Sequence, residues 1–431
     1  MGGGPRPTVG PTSLERKPFR DTLRSRTAQG AATDGAAGFT PIRQDVPLDG
    51  CTLMKIIFFC DEYPPAPHGG IGTFTHTIAH GLVDGGHEVT VVGFGERAQH
   101  WHDGEVRMVM LKTARIPKLT WLLNRLRLHR WLAKEAAGGR VDVIEVPEYS
   151  GFLPFPFRRC PVVVRIHLSH TTIAMSAQHR PNWVIRICER LTLRAHRNWI
   201  AVSEHAQRLT EATFRVVPST SRVIYSPVIL PSEPDSSALP PLPERFVLYA
   251  GTLSTRKGAY LVAEAAKRFL REDRSTDLVY AGTLCTEDDV QSDERIDGIV
   301  GPELAHRVHV LGFLDRAALA ACMRRACVFV FPSTLETFGL VVGEAMLAGV
   351  PVVVPRGAPF DEFVVAEESG LVVQPNNPEA LSQAVLRLLR SPELCEQLGT
   401  AGRHQIEGRF SLQRAVSATE VFYQELRTGG S

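Results

Sequence analysis

The sequence has no pair of cysteines spaced as CxxC, although it contains eight cysteines in 431 residues. Scattered cysteines are typical of a reducing compartment, and they argue against a disulfide framework and against a structural zinc site. The chain also has no run of about 18 apolar residues, so no predicted helix spans a membrane. The formal net charge is only +2, which gives no reason to expect a nucleic-acid partner. We therefore expect a cytoplasmic, globular protein.

Residues 1–53 show neither a helix or strand period nor the apolar core of a signal peptide. They are rich in Gly, Ala, Thr, Pro and Arg, and we expect a disordered N-terminal tail. The acidic residues Glu15, Asp21 and Asp34 argue against a transit peptide. Alternatively, Met54, which stands directly before the first predicted strand, is the natural start.

Short apolar runs alternate with helical segments and predict two α/β domains, since 431 residues are too many for one ordinary core. Residues 54–60 have the pattern of a buried strand and are followed by a Gly-rich loop, a helix over 73–83 and a strand over 88–93. This order is the βαβ unit of a doubly wound sheet. The first domain is expected over 54–231, with further strands at 141–146, 162–166 and 199–202.

A Pro/Ser-rich stretch at 232–243 predicts a linker, and a second alternating series follows it. We expect a second doubly wound domain over 244–410 and an amphipathic C-terminal helix and tail over 411–431. Two Rossmann-like domains would then face each other across a cleft, with ligands at the carboxyl ends of the strands. The second domain's predicted strands are 246–250, 277–281, 308–311, 328–331 and 351–354.

Residues 118–133 mix Trp and Leu with Arg, His and Lys. Such a segment could make peripheral contact with an anionic membrane surface. The alternative is an ordinary helix with its apolar face on the sheet and solvated arginines outside.

Two carboxylates, Glu336 and Glu344, stand eight positions apart after a predicted strand. If a helix begins near Phe338 or Gly339, its free amides and its dipole offer a phosphate site between them, and Gly339 permits close approach. The carboxylates can accept hydrogen bonds from the hydroxyls of a sugar and a ribose. The alternative is a helix-capping Glu336 and a surface Glu344, but the apolar segment at 345–353 favours the ligand site.

With this motif the chain resembles the retaining glycosyltransferases of family four, which have the GT-B fold, over about residues 54–426. In that family the first Glu contacts the donor sugar and the second contacts the ribose of the nucleotide. The resemblance implies these roles for Glu336, as a catalytic residue, and for Glu344. The family's backbone amides after the first Glu meet the sugar and the distal phosphate, and here they belong to Phe338, Gly339 and Leu340.

A basic pair, Arg256 and Lys257, follows the predicted strand at 246–250 and can face a diphosphate. The family commonly has an Arg after the Gly that ends this strand and a Lys before a later Gly. The sequence keeps Lys257 but has Thr252 where that Arg is expected, so whether Arg256 substitutes stays open. The alternative is a pair at a helix start that faces solvent.

Gly69 and Gly70 belong to the segment from His68 to Gly72, between the first strand and its helix. A Gly cluster is usually a turn. Here it resembles the family's first loop, whose backbone lines the cleft beside donor phosphate and acceptor. His167 follows the strand at 162–166, and the family often has such a His, here a candidate catalytic residue, near the reacting sugar. The alternative is a structural histidine.

Phe313 resembles a segment that lines the base pocket, and a buried strand end is the alternative. Residues 201–204 resemble a strand-end segment with a backbone or acceptor-side role. Asp361 and Glu362 stand where the family often has an acid, and no role is assigned to them.

The resemblance implies a glycosyltransferase of the hexosyltransferase type that retains anomeric configuration and uses a nucleoside diphosphate sugar. The sequence has no Asp-x-Asp element for a divalent ion, so no metal or cofactor is expected, and the basic pair would stabilise the leaving diphosphate. The alternatives are a sugar-nucleotide epimerase, a glycogen phosphorylase relative, or a non-catalytic nucleotide-sugar-binding protein. The donor stays unassigned, as does the acceptor, a small metabolite, glycan or lipid.

Overall fold

The computed structural model describes residues 52–65, 69–176, 178–231 and 241–429. The tail predicted at 1–53 and the linker predicted at 232–243 lie mostly outside these ranges, and so does His68.

The first half of the chain builds one eight-stranded sheet with helices on both faces. Its strand order is β3-β4-β2-β1-β5-β6-β7-β8, and every pair is parallel except β3 with β4. In chain order its elements are β1 (Lys55–Phe59), α1 (Gly70–Asp84), β2 (Glu88–Gly95), β3 (Gln99–Asp103), β4 (Val106–Lys112), α2 (Thr120–Glu135), β5 (Val143–Pro147), β6 (Val162–Ile166), α3 (His170–Ser176), α4 (Trp183–Ala195), β7 (Asn198–Ala201), α5 (Glu204–Phe214) and β8 (Thr220–Val223), with a 3-10 turn at Tyr149–Gly151.

The second half builds a six-stranded parallel sheet in the order β13-β10-β9-β14-β15-β16, with a small separate hairpin. In chain order its elements are β9 (Phe246–Ala250), α6 (Ala259–Glu272), β10 (Asp277–Ala281), the hairpin β11 (Thr286–Glu287) and β12 (Val290–Gln291), α7 (Ser292–Val300), β13 (Val308–Val310), α8 (Arg316–Arg325), β14 (Val328–Val330), α9 (Leu340–Leu347), β15 (Val352–Pro355), β16 (Leu371–Val373), α10 (Pro378–Leu389), α11 (Pro392–Arg409) and α12 (Leu412–Arg427), with 3-10 turns at Ala305–Arg307 and Ala358–Glu362.

The central strands are the continuous apolar runs of the sequence. All residues of β5, β6 and β9 are buried, as parallel strands covered on both faces require. The predicted strands at 54–60, 162–166 and 246–250 are therefore confirmed within one residue at each end. The edge hairpin of β3 and β4 was not predicted, because β3 is mostly exposed and polar.

Helix α12 crosses back from the second half of the chain to the first sheet. It packs so closely on α1 that a Cβ added to Gly81 would lie 2.6 Å from Cγ2 of Val416. The hydroxyl of Tyr423 donates to Oε2 of Glu145 at 2.5 Å, and the same carboxylate accepts two hydrogen bonds from Arg165 at 2.8 and 2.9 Å. A buried hydrogen-bonded network therefore anchors the C-terminal helix to the first sheet, although Nη1 of Arg165 has no hydrogen-bond partner among the described residues.

The segment predicted at 118–133 forms α2 and packs on the core through Leu128 and Leu132. Arg125 is also buried, and it donates to the carbonyls of Gly151 and Trp121, so it is not one of the solvated arginines expected for an ordinary helix. Among the described residues, no helix combines the length and the apolar character needed to cross a membrane.

Candidate active site

Glu336 lies in the loop between β14 and α9 and is only 8 % exposed. Its Oε1 atom accepts a hydrogen bond from Nζ of Lys257 at 2.5 Å and another from Oγ of Ser333 at 2.8 Å. Both bonds use one oxygen, and no bond to Oε2 is found among the described residues. The carboxylate is therefore held in place while one of its oxygens stays available to a ligand hydroxyl.

Lys257 reaches Glu336 because the loop between β9 and α6 packs against the end of β14. Gly258 has φ +79°, and a Cβ there would lie 2.8 Å from Pro332, so this position needs glycine. Nζ of Lys257 also lies 5.7 Å from the ring centroid of Phe331. Arg256, the other member of the basic pair, is exposed and has no side-chain hydrogen bond or ion pair within the described residues.

Helix α9 begins at Leu340, one or two residues later than expected, and Gly339 precedes it with φ 82°. A Cβ at Gly339 would lie 2.5 Å from Cε1 of Phe360, so packing and backbone conformation both require glycine there. Phe338 is 1 % exposed and packs on Phe363 and Phe410, so only its backbone can meet a ligand. The first amides of α9 have no acceptor within the helix and lie next to Glu336 in the chain.

Glu344 points to a different partner. Its Oε1 atom accepts from Arg316 at 2.9 Å, and the same guanidinium donates to the carbonyl of Ile229 at 3.0 Å. Burial raises the pKa of Glu344, and the neighbouring Arg316 opposes that rise. The alternative of a surface charge is therefore wrong, since this carboxylate is mostly buried and ion-paired.

The strand-end segment 201–204 touches the loop that carries Glu336. Oγ of Ser203 donates to the carbonyl of Thr337, and the carboxylate of Glu362 accepts from the amides of Glu204 at 3.0 Å and His205 at 2.7 Å. Glu362, to which the sequence analysis assigned no role, thus caps α5 from the domain of the other sheet. These bonds hold the carboxyl end of β7 against the loop between β14 and α9.

His167 lies at the carboxyl end of β6, beside β7, but its imidazole is largely buried. Burial, with a contribution from the charge of Arg165, lowers the pKa of His167 to about 3. Its ring packs edge-on against Phe74 at a centroid distance of 4.9 Å. Among the described residues, no hydrogen bond, ion pair or ring contact joins His167 to Glu336.

Behind His167 lies Glu148, which sequence reasoning missed. Its carboxylate accepts from the backbone amides of His167 at 2.8 and 2.9 Å and of Leu168 at 2.5 Å. Burial raises the pKa of Glu148 to about 8, partly against these hydrogen bonds. A buried carboxyl group thus positions the strand end that presents His167, and Leu168 there has φ 91°.

Gly70 is the first residue of α1 and Gly69 its N-cap, so this helix begins three residues earlier than predicted. Oε1 of Glu62 accepts from the amide of Gly72 at 3.0 Å and would lie 3.4 Å from a Cβ at Gly69. A carboxylate therefore occupies the helix N-terminus that the sequence suggested as a neighbour of the donor phosphate.

Phe313 follows β13 and is 77 % exposed, which rules out the alternative of a buried strand end. Leu284, after the adjacent strand β10, is also exposed. Two large apolar side chains thus stand at the carboxyl edge of the second sheet, and the sequence indicated only one of them.

Comparison with known proteins assigns both halves of the chain. The family described as Glycosyltransferase Family 4 matches residues 68–230, and the family described as Glycosyl transferases group 1 matches residues 234–405. The glycogen synthase of Mycobacterium tuberculosis is 25% identical over 415 residues, which cover 87% of this chain and 96% of the relative.

Solved structures match over most of the chain as well. The sucrose-phosphate synthase of Thermosynechococcus elongatus superposes with a TM-score of 0.72 at 23% identity, covering 87% of this chain and 100% of that one. Anabaena HepE in complex with UDP and glucose gives a TM-score of 0.67 at 19% identity, covering 86% and 100%. The chain belongs to the group 1, family 4 glycosyltransferases and has the GT-B fold.

Proposed function

We propose that this glycosyltransferase moves a sugar from a nucleoside diphosphate sugar to an acceptor with retention of anomeric configuration and without a divalent metal. The observation that carries the proposal is the contact of Glu336 with Lys257 beside the N-terminus of α9. This contact brings together a carboxylate that can bind sugar hydroxyls, a cation that can bind phosphate and the free amides at the start of α9.

The charge that develops during the reaction is on the leaving diphosphate. Lys257, the amides of Gly339 and Leu340, and the exposed Arg256 are the groups available to stabilise it. Glu336 would orient the donor sugar, Glu344 the ribose, and the exposed Phe313 and Leu284 the base. UDP is bound by the Anabaena relative in its crystal structure, which supports a nucleotide donor here.

Retention without a side-chain nucleophile fits front-face attack, in which the departing phosphate accepts the proton of the acceptor hydroxyl. His167 is neutral because burial lowers its pKa to about 3, so it would act as a hydrogen-bonding group and not as an acid. A cytoplasmic setting is proposed on the cysteine pattern: all seven cysteines within the described residues are free thiols.

The proposal is tested first with UDP-, GDP-, ADP- and dTDP-sugars in a thermal-shift screen. At 100 times its dissociation constant, a ligand stabilises the folded state by about 2.7 kcal/mol, so the true donor should raise the melting temperature by several degrees. Lys257→Ala should abolish this shift, and Lys267→Ala on the solvent side of α6 is the matched control.

The stabilising donor is then incubated with candidate acceptors, and nucleotide release and the anomeric configuration of the product are measured by NMR. A stabilising donor that is neither hydrolysed nor transferred would favour a non-catalytic binding protein, for which Thr252 in place of the family's Arg is the motivating feature. An inverted product would overturn the proposed stereochemistry alone.

A further inference from the structure

Three side chains outside the donor site converge on one oxygen atom. His76 and His80 lie one turn apart on α1, and Asp103 ends the edge strand β3. Nε2 of His76 lies 3.4 Å from Oδ2 of Asp103, and Nε2 of His80 lies 3.1 Å from it. The ligand atoms that the three residues offer all lie within 4.8 Å of one another.

These distances fit a shared metal ion. A charge-assisted N–H···O hydrogen bond is about 2.7 to 2.9 Å long. Around a tetrahedral zinc ion with bonds of about 2.0 to 2.1 Å, neighbouring ligand atoms are about 3.3 to 3.4 Å apart. The 3.4 Å from Nε2 of His76 to Oδ2 of Asp103 equals the separation of two ligand atoms around zinc. The 3.1 Å from Nε2 of His80 to the same oxygen lies between the hydrogen-bond length and that separation.

The surroundings orient the same carboxylate. The hydroxyl of Tyr63 donates to Oδ2 of Asp103 at 2.9 Å, and its ring lies 5.5 Å from that of His76. Asp103 thus has a hydrogen-bonded support, as is common for ligands at metal sites.

We propose that His76, His80 and Asp103 bind one zinc ion, with water in the fourth position. Two imidazole nitrogens and a carboxylate oxygen are a ligand set that suits zinc. The three side chains are between 31% and 41% exposed, so an ion and water can reach them. The ion ties α1 to β3 and, through Tyr63, to the segment that directly follows β1. The site contains no cysteine, so the cysteine pattern does not bear on it.

The test is the metal content of the full chain, purified without a metal-affinity step, loaded with zinc sulfate and desalted. About one zinc per chain is expected by mass spectrometry, and cobalt should give the visible absorption of a tetrahedral complex. Zinc should raise the melting temperature by a few degrees, and EDTA should reverse that shift without reducing turnover well below melting.

His76→Gln and His80→Gln should each lower zinc affinity at least tenfold, since even outer partners of metal ligands contribute tenfold or more. His102→Gln, at an exposed position of the same strand, is the matched control and should bind zinc as the wild type does. A zinc content at background level after loading, or wild-type affinity in both variants, would show that the three residues form only a hydrogen-bonded cluster.

A second surface lies on α4, whose exposed face contains only apolar and basic residues. Trp183 is 71 % exposed, and Ile187 and Leu191 follow it one and two turns later, also exposed. Three arginines without a hydrogen bond or ion pair to any described residue lie between them: Arg186, Arg190 and Arg194. The one acid of this helix, Glu189, is on the buried face.

The buried face fixes α4 independently of this surface. Glu189 accepts from the amides of Ser150 at 3.0 Å and His170 at 2.8 Å. A rigid helix that exposes Trp and aliphatic side chains between arginines is typical of contact with an anionic lipid surface. We infer that this face of α4 docks on anionic bilayers, which would bring the carboxyl edge of the first sheet, where His167 lies, near the membrane.

Vesicle flotation tests this inference with phosphatidylcholine alone and with one third phosphatidylglycerol. Binding is expected only to the anionic vesicles and should weaken with salt. Trp183→Ser with Ile187→Ser, and separately Arg186→Gln with Arg190→Gln, should each reduce binding about tenfold or more.

Arg414→Gln with Val421→Ser, which removes one arginine and one exposed apolar side chain from α12, is the matched control and should leave vesicle binding unchanged. Absent vesicle binding, or equal binding by all variants, would overturn the inference and leave a protein partner or self-association as the explanation of this face.

Discussion

The replacement of Glu336 by glutamine should separate sugar recognition from nucleotide binding. The carboxylate accepts hydrogen bonds from Lys257 and Ser333 on one oxygen. Glutamine keeps the size and one acceptor, so the loop should stay folded, but the negative charge beside Lys257 is lost. Because Lys257 then keeps its charge without a counter-ion, the positive potential at the proposed diphosphate position increases.

The expected magnitudes follow from these contacts. A hydrogen bond to a charged group contributes about 1.5 to 3 kcal/mol, and one between neutral groups about 0.5 to 1.5 kcal/mol. Glu336→Gln should therefore weaken the bond to the reacting sugar by about 1 to 1.5 kcal/mol, which is roughly a tenfold loss in kcat. Glu336→Ala removes the whole bond and should lower kcat about ten- to a hundredfold, more than it raises KM.

Glu344 should behave in the opposite way. Glu344→Ala removes a proposed ribose acceptor that is used in the ground and transition states alike, so nucleotide affinity should fall about ten- to a hundredfold. The variant should stay folded because Arg316, its partner, is half exposed and keeps its bond to Ile229.

The assay is calorimetric binding of the nucleoside diphosphate together with steady-state turnover of the identified donor. Glu336→Gln should bind nucleotide at least as tightly as the wild type, and Glu368→Gln, an exposed glutamate, is the control for the change in net charge. If folded Glu336 variants kept full turnover and Glu344→Ala kept full nucleotide affinity, the donor-site assignment would be wrong and both residues would be structural.

Turnover should survive EDTA below the melting temperature, and complete loss that Mg²⁺ or Mn²⁺ restores would refute metal-independent chemistry. A chain that starts at Met54 should keep its melting temperature and turnover, and a drop of more than a few degrees would show that the preceding tail docks on the fold. Tyr423→Phe removes a buried bond to Glu145, so unfolding free energy should fall by about 1 to 3 kcal/mol in denaturant titration, and an unchanged midpoint would contradict this. Because burial lowers the pKa of His167 to about 3, the pH profile of kcat/KM should show no titration of His167 near pH 6.5. A limb of the profile near pH 6.5 that His167→Asn removes would refute the neutral role of His167.

The sequence predicted those site residues whose position follows from the order of strands and helices along the chain. Glu336 follows a buried strand, and parallel strands bring their carboxyl ends to one edge, so the sequence predicted a ligand site at this edge but not the contact of Glu336 with Lys257. Glu336 pairs with Lys257 and not with Arg256 because Gly258 lies close to Pro332. The spacing of residues along the sequence does not reveal this approach.

The residues that sequence reasoning missed are polar side chains whose partners lie far away in the chain. Glu148 is separated by 19 positions from the His167 amide that it accepts, and Arg316 by 28 positions from Glu344. Each stands in or beside a loop without a periodic pattern, so only the folded backbone shows what it contacts. In the sequence each of them is only an acid or an arginine next to a predicted strand or helix end. Such residues are common, so this position alone does not identify a site residue.

Glu362 shows how the two halves of the site depend on each other. Its carboxylate accepts from two amides at the start of α5, while Ser203 of the same turn donates to the carbonyl of Thr337, next to Glu336. The loop between β14 and α9 is thus held from the side of the first sheet by bonds that involve no ligand. Any opening between the halves must break these bonds together, and the loss of the Ser203 bond removes a direct restraint on the backbone that positions Glu336. Separation of the first sheet from this loop would therefore also release a backbone restraint next to the proposed sugar-binding carboxylate.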